Sequence, residues 1–115
     1  MRRGDIYWVD YEPARGSEVN KARPGVIVSS DGANAVVERT GTGVITVVPL
    51  TSNTSRVYPF QVLLRADECG LRKDSKVQCE QVRALSRERF LKRIGVLPRR
   101  YMAEIEVALR RHLVL

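Results

Sequence analysis

GVIVSS (residues 25–30) and VITVVPLTS (residues 44–52) decide the fold. Both runs are short, apolar and rich in β-branched Val and Ile, and turn residues flank them. That composition points to buried strands rather than helices. The strands are expected over Gly25–Ser30 and Val44–Leu50, with Pro49 near an end where a missing N–H is tolerated. Upstream, Asp5–Tyr11 (DIYWVDY) is a third β-prone run, led by Gly4. Between it and Gly25, EPARGSEVNKARP holds two prolines, a glycine and many charges, and reads as a long loop. Residues 31–42 carry turn signals at Asp31-Gly32 and Gly41, and Val36-Val37 fits a short helix or a turn.

Downstream of the polar loop Thr51–Arg56, strands are expected over Pro59–Arg65, Ser75–Val82 and Arg93–Leu97. Alternation puts Val77, Cys79 and Gln81 on one face of the second of these. Ser86 is positioned to cap a turn of helix reaching Phe90. Pro98 opens the last segment, in which Tyr101, Ile105, Ala108, Leu109 and His112 recur at helical spacing as an amphipathic stripe. The expectation is a mainly β fold, a small curled sheet or barrel closed by a C-terminal helix.

The chain of 115 residues is sized for one domain, residues 1–115. It has no membrane-length apolar run and no signal-peptide pattern, which leads to a cytoplasmic expectation. Cys69 and Cys79 are too few for a disulfide scaffold or a four-cysteine zinc site. The net charge is +7, and it is uneven. Residues 67–115 hold twelve basic and seven acidic side chains, whereas residues 1–30 hold five and four. Such a field suits a polyanionic partner, although it also suits a merely soluble surface.

The one histidine, His112, excludes catalysis by a histidine pair. No metal-ligand cluster, P-loop or dinucleotide glycine pattern is present, so no cofactor is expected. Any enzyme chemistry must use Arg, Lys, Ser, Thr, Asp or Glu. Three polar groups interrupt apolar contexts: Arg23-Pro24 before one strand, Thr51-Ser52 after another, and Glu80-Gln81-Val82-Arg83 at the end of a third. Pro24 stiffens the backbone beside Arg23.

Together with RRGDIYWVDYEPARGSE (2–18), KARPGVIVSS (21–30), VITVVPLTS (44–52) and CEQVRALSRERFLKRIGVL (79–97), these groups resemble the MazF/PemK family. That family comprises the toxin endoribonucleases of type II toxin–antitoxin pairs. The likeness runs through essentially the whole chain. It implies an SH3-like β-barrel with short helices, a homodimer, and metal-independent, sequence-specific cleavage of single-stranded RNA. The family's catalytic arginine and threonine correspond to Arg23 and Thr51. The expected products are a 2′,3′-cyclic phosphate and a 5′-hydroxyl. Ser52, Glu18, Lys21, Glu80 and Gln81 are the substrate-binding candidates, with Glu18 and Glu80 also the conventional base candidates. The loop after Gly-Ser-Glu is often glycine-rich in the family, but here it is Val19-Asn20-Lys21-Ala22. The implied protein partner is a MazE-like antitoxin with an acidic segment.

Tyr7, Trp8, Tyr11 and Tyr58 are candidate platforms for stacked bases. Alternation puts Tyr7 and Tyr11 on one face of the first strand and Trp8 on the other. Trp8 is assigned to the core. Two other readings remain: a non-enzymatic toxin on the same barrel, resembling the CcdB gyrase inhibitors, and a non-catalytic SH3-like nucleic-acid-binding module.

Overall fold

A single strand, β3 (Val44–Thr51), organises the fold. The computed structural model describes residues 1–115. Before β3 come β1 (Asp5–Asp10), β2 (Ala22–Ile27) and helix α1 (Asp31–Thr40). After it come β4 (Gln61–Leu64), helix α2 (Ala66–Cys69), β5 (Ser75–Gln78), β6 (Arg83–Ser86), β7 (Phe90–Val96) and helix α3 (Arg99–Leu113). Short 3₁₀ turns cover Cys79–Gln81 and Arg87–Arg89. The strands form a curled antiparallel sheet in the order β4-β5-β3-β2-β1-β7, with β6 also on β3.

β3 serves three partners because its ends diverge. Its first half pairs with β6, from Val44↔Ser86 to Val47↔Arg83. Its middle pairs with β2, and its last residues, Leu50 and Thr51, pair with Val77 and Lys76 of β5. The interior divides accordingly. One cluster, including Ile6, Val26, Val48, Leu50 and Val77, lies under α3 and is closed by Tyr101, Ile105 and Ala108. The other gathers Val9, Tyr11, Ile27, Ile45, Val47 and Phe90.

The mainly β expectation holds, with a helix at the C-terminus, and several details differ. β2 begins at Ala22, three residues before the expected start. The edge of β1 draws it in by pairing Ala22, Arg23 and Pro24 with Asp10, Val9 and Trp8. Gly25 follows at a close approach: a Cβ there would stand 2.3 Å from Tyr11 Oη and 2.7 Å from Val47 Cγ2. The ambiguous stretch after Ser30 is a helix. The Ser30 side chain accepts from Ala33 N, and Gly41 ends the helix in the left-handed conformation.

The strand expected over Ser75–Val82 stops at Gln78. The turn at Cys79–Gln81 redirects the chain so that β6 can return to β3. Ser86 makes no capping hydrogen bond. On α3, Tyr101, Ile105 and Ala108 are buried as expected. His112 is exposed, with its ring 6.0 Å from that of Phe60. Trp8 is the clearest reversal. It is 40% exposed, whereas Tyr11 is fully buried. Irregularities in the β1–β7 pairing flank Tyr7 and Trp8, and the Trp8 face of β1 is left open to solvent at that point.

Candidate active site

The β2–β3 register runs Ile27↔Val47, Val26↔Val48, Gly25↔Pro49. Continued two residues outward, it sets Arg23 level with Thr51. Pro24 precedes the first β2–β3 pair, where its missing N–H costs the sheet least. Thr51 stands where β3 leaves β2 for β5. Arg23 and Thr51 line one groove of about 730 Å³, together with Ser52, Trp8 and Pro24. Arg72 and Lys73, in the turn after α2, and Lys92 and Arg93, on β7, complete its charged walls. The lining thus has five cationic side chains and no carboxylate or imidazole.

The two central side chains are partly committed. Arg23 Nε donates to the Asn20 carbonyl at 3.0 Å, and Nη2 donates to Asn20 Oδ1 at 3.3 Å. One edge of the guanidinium is thereby held, and Nη1 remains for a ligand. Thr51 Oγ1 accepts from Asn53 N at 3.3 Å, so its hydroxyl proton is available to donate. Arg93 is tied at 3.6 Å to the buried carboxylate of Asp5, which also accepts from Arg2 N. Arg23, Arg72, Lys73 and Lys92 form no ion pair.

The remaining expected site residues lie outside the groove lining. Glu18 is exposed and accepts from Arg15 N at 2.7 Å. Lys21 is exposed with a left-handed backbone, φ 63°, pinned by Glu12 Oε2, which accepts from Lys21 N. Gln81 spends its amide on the long loop, donating to the Ser17 carbonyl and accepting from Val19 N. Glu80 accepts from Gln61 Nε2 at 2.8 Å. Burial, with Glu80 adding to it, pushes the Cys79 thiol up to about 12, so it is protonated and unreactive at neutral pH. Burial likewise raises the Tyr11 phenol, against the pull of Arg83 and Arg23.

Sequence reading missed the groove's outer cations. The doublets Arg72-Lys73 and Lys92-Arg93 are visible in the chain, but so are Arg2-Arg3, Arg99-Arg100 and Arg110-Arg111. Nothing local separates a groove doublet from a surface one.

A curled β sheet that gathers four unpaired cations and the Thr51 hydroxyl proton around one groove is chemically suited to phosphodiesters. A model of the PemK-like, MazF-like toxins of type II toxin–antitoxin systems matches residues 2–113, and the chain belongs to that family. It is 55% identical over 113 residues to endoribonuclease MazF9 of Mycobacterium tuberculosis H37Rv, covering 98% of this chain and 96% of the relative. Among solved structures, MazF from Deinococcus radiodurans superposes with a TM-score of 0.83 at 26% identity, covering 100% of this chain and 97% of that one. A mycobacterial endoribonuclease in complex with its cognate antitoxin shares the fold, with a TM-score of 0.74 at 24% identity over 100% and 96% of the two chains.

Proposed function

We propose that this protein is an endoribonuclease toxin that cuts single-stranded RNA at a short sequence without a metal ion. Placement of Arg23 and Thr51 in one carboxylate-free cationic groove carries the reading. The RNA's own 2′-oxygen gives its proton to water and attacks the adjacent phosphorus, while the bond to the 5′-oxygen breaks and that oxygen takes up a proton from water. This gives a 2′,3′-cyclic phosphate and a 5′-hydroxyl. Arg23 presents Nη1 to a non-bridging oxygen and stabilises the charge that builds up in the transition state. Thr51 donates a hydrogen bond from its hydroxyl to the same phosphoryl group, and Ser52 adds a contact at the rim.

A guanidinium is too weakly acidic to act as a base at neutral pH. Arg23 therefore works by electrostatics. The groove concentrates positive potential on the attacked phosphate, which also lowers the cost of ionising the neighbouring 2′-OH. DNA is spared because it lacks that nucleophile.

Purified protein and end-labelled single-stranded RNA in EDTA test the reading. Cleavage with cyclic-phosphate ends is expected, and a single 2′-deoxy substitution at the cut should abolish it. RNA left intact across varied sequences would sink the ribonuclease reading in favour of a CcdB-like toxin or a binding module.

The same groove is the natural target of an antitoxin's acidic segment, which would compete with RNA for these cations. A structural neighbour is known with its cognate antitoxin. The chain has no helix long and apolar enough to cross a membrane. The proposed substrates are messenger, ribosomal or transfer RNA in single-stranded form, and the proposed place of action is the cytoplasm. Assembly as a homodimer accords with the exposed apolar side chains of Leu63, Val107 and Leu113.

A further inference from the structure

Trp8 is the single tryptophan of the chain. It lines the groove, and its 40% exposure demands an explanation. The other aromatic side chains are engaged within the fold. Tyr11 and Phe90 are buried, and Tyr7 packs edge-on against Phe90. Tyr58 stacks on Phe60 at 5.5 Å, and the guanidinium of Arg100 covers buried Tyr101. The Trp8 indole makes no aromatic or cation–π contact in the fold. An indole left open to water among cations forgoes the burial that usually fixes this side chain.

Its neighbours are set by register. Trp8 pairs with Pro24 on one side and with Lys92 on the other, and paired residues share a sheet face. Strand spacing puts Pro24 about 4.8 Å away. Arg23 pairs with Val9 and so leaves its strand from the other face, but it lines the same groove as the indole, as does Lys92. A nucleotide whose phosphate reaches Arg23 would lie in the groove that the indole lines, and Lys92, in the same lining, offers a second cation to a neighbouring phosphate. A flat apolar ring between two phosphate-binding cations matches the alternation of base and phosphate in single-stranded RNA.

We propose that Trp8 is the stacking platform for the nucleobase adjoining the scissile phosphate, and thereby a specificity-determining residue. The proposal rests on the ribonuclease reading above. Stacking tolerates any base but favours those with the larger ring faces, so Trp8 weights the cleavage preference at one position rather than dictating it.

The test pairs a protein change with a substrate change, once the cleaved sequence is mapped with wild-type protein. Trp8→Ala should lower kcat/KM on the order of 10- to 100-fold, mostly through KM. It should also flatten the preference at one position beside the cut, and Trp8→Phe should restore most of both. An abasic nucleotide at that position should cost wild type a similar factor and cost Trp8→Ala little more. Because Trp8 is the only tryptophan, its emission should be open to iodide in free protein. A 2′-deoxy, uncleavable oligonucleotide of the mapped sequence should quench it.

Losses that multiply in the variant–abasic combination would overturn the assignment. So would an unchanged site preference in Trp8→Ala, or an indole already shielded from iodide before RNA is added. Failure of wild type to cut any RNA in EDTA would instead strike the ribonuclease reading itself.

Discussion

Two cationic regions of this molecule look alike in sequence and behave oppositely in structure. Around the N-terminus and the helices, four arginines are paired, although Arg39 on α1 and Arg99, Arg110 and Arg111 on α3 are not. Arg2 meets Asp31 at 3.0 Å and Arg3 meets Glu106 at 2.7 Å, while Arg87 meets Glu38 and Arg100 meets Glu68. In the groove, Arg23, Arg72, Lys73 and Lys92 have no carboxylate, and Arg93 alone is tethered, to Asp5. Paired cations hold elements to one another. Unpaired cations around a concave surface repel one another and gain from an arriving polyanion. The net charge of +7 therefore overstates the structural use of charge and understates its functional concentration.

The largest expected effect lies at the centre of the groove. Arg23→Ala and Thr51→Ala should each lower the rate of RNA cleavage about 10²- to 10³-fold while the protein melts near the wild-type temperature. Single-turnover cleavage with parallel thermal melts checks this. Near-native cleavage by both variants would remove the proposed site.

A smaller effect is expected along the walls. Lys92→Ala and Arg72→Ala should each weaken RNA binding several-fold. Each should also reduce the slope of log affinity against log salt by about 0.7, one phosphate contact on a single strand. Filter binding of an uncleavable RNA across a salt series measures both. Arg93→Ala should show the binding loss and a drop in stability together, because it also abandons the buried Asp5 carboxylate.

Alkali tests the interior independently of either set of arginines, which stay charged there. Burial raises the folded-state pKa of the Cys79 thiol from 9.0 to about 12, and that of the Tyr11 phenol as well. A group whose neutral form is favoured by folding binds its proton more tightly in the native state. Its contribution is thus intact below pH 9 and is lost as the pH climbs towards 12. Melting temperatures should hold between pH 7 and 8.5 and fall steadily beyond 9. A flat profile to pH 11 would contradict the burial argument.

The smallest effect belongs to the paired region. Arg3→Ala should cost about 1 kcal/mol of stability or less, as partly exposed ion pairs do, and should leave the salt slope of RNA binding unchanged. A change in that slope would erase the distinction between the two regions.

The sequence carried much of the fold, and the reasons are local. β-branched runs bounded by Gly, Pro and Ser marked β2 and β3, and a stripe at helical spacing marked α3. Short elements escaped. β6 is four residues whose strand state exists only because the first half of β3 offers it an edge. Periodicity cannot see the pairing irregularities around Tyr7 and Trp8, and so cannot place Trp8 at the surface.

Of the candidate residues, Arg23, Thr51 and Ser52 share the groove, and each is legible as a candidate because it interrupts an apolar run at a strand boundary. Glu18, Lys21, Glu80 and Gln81 are polar at similar boundaries, but the fold directs their hydrogen bonds away from the groove, to the β1–β2 loop and to Gln61.

By itself, then, the sequence determined six of the seven strands, to within a few residues at their ends, and the C-terminal helix. Those choices follow from side-chain branching, periodicity and backbone restriction within a few residues. Only the tertiary structure decided which of several identical-looking basic doublets face one another across a groove and whether a tryptophan lies inside or out. Such outcomes depend on register and curvature, which are set by contacts between residues far apart in the chain.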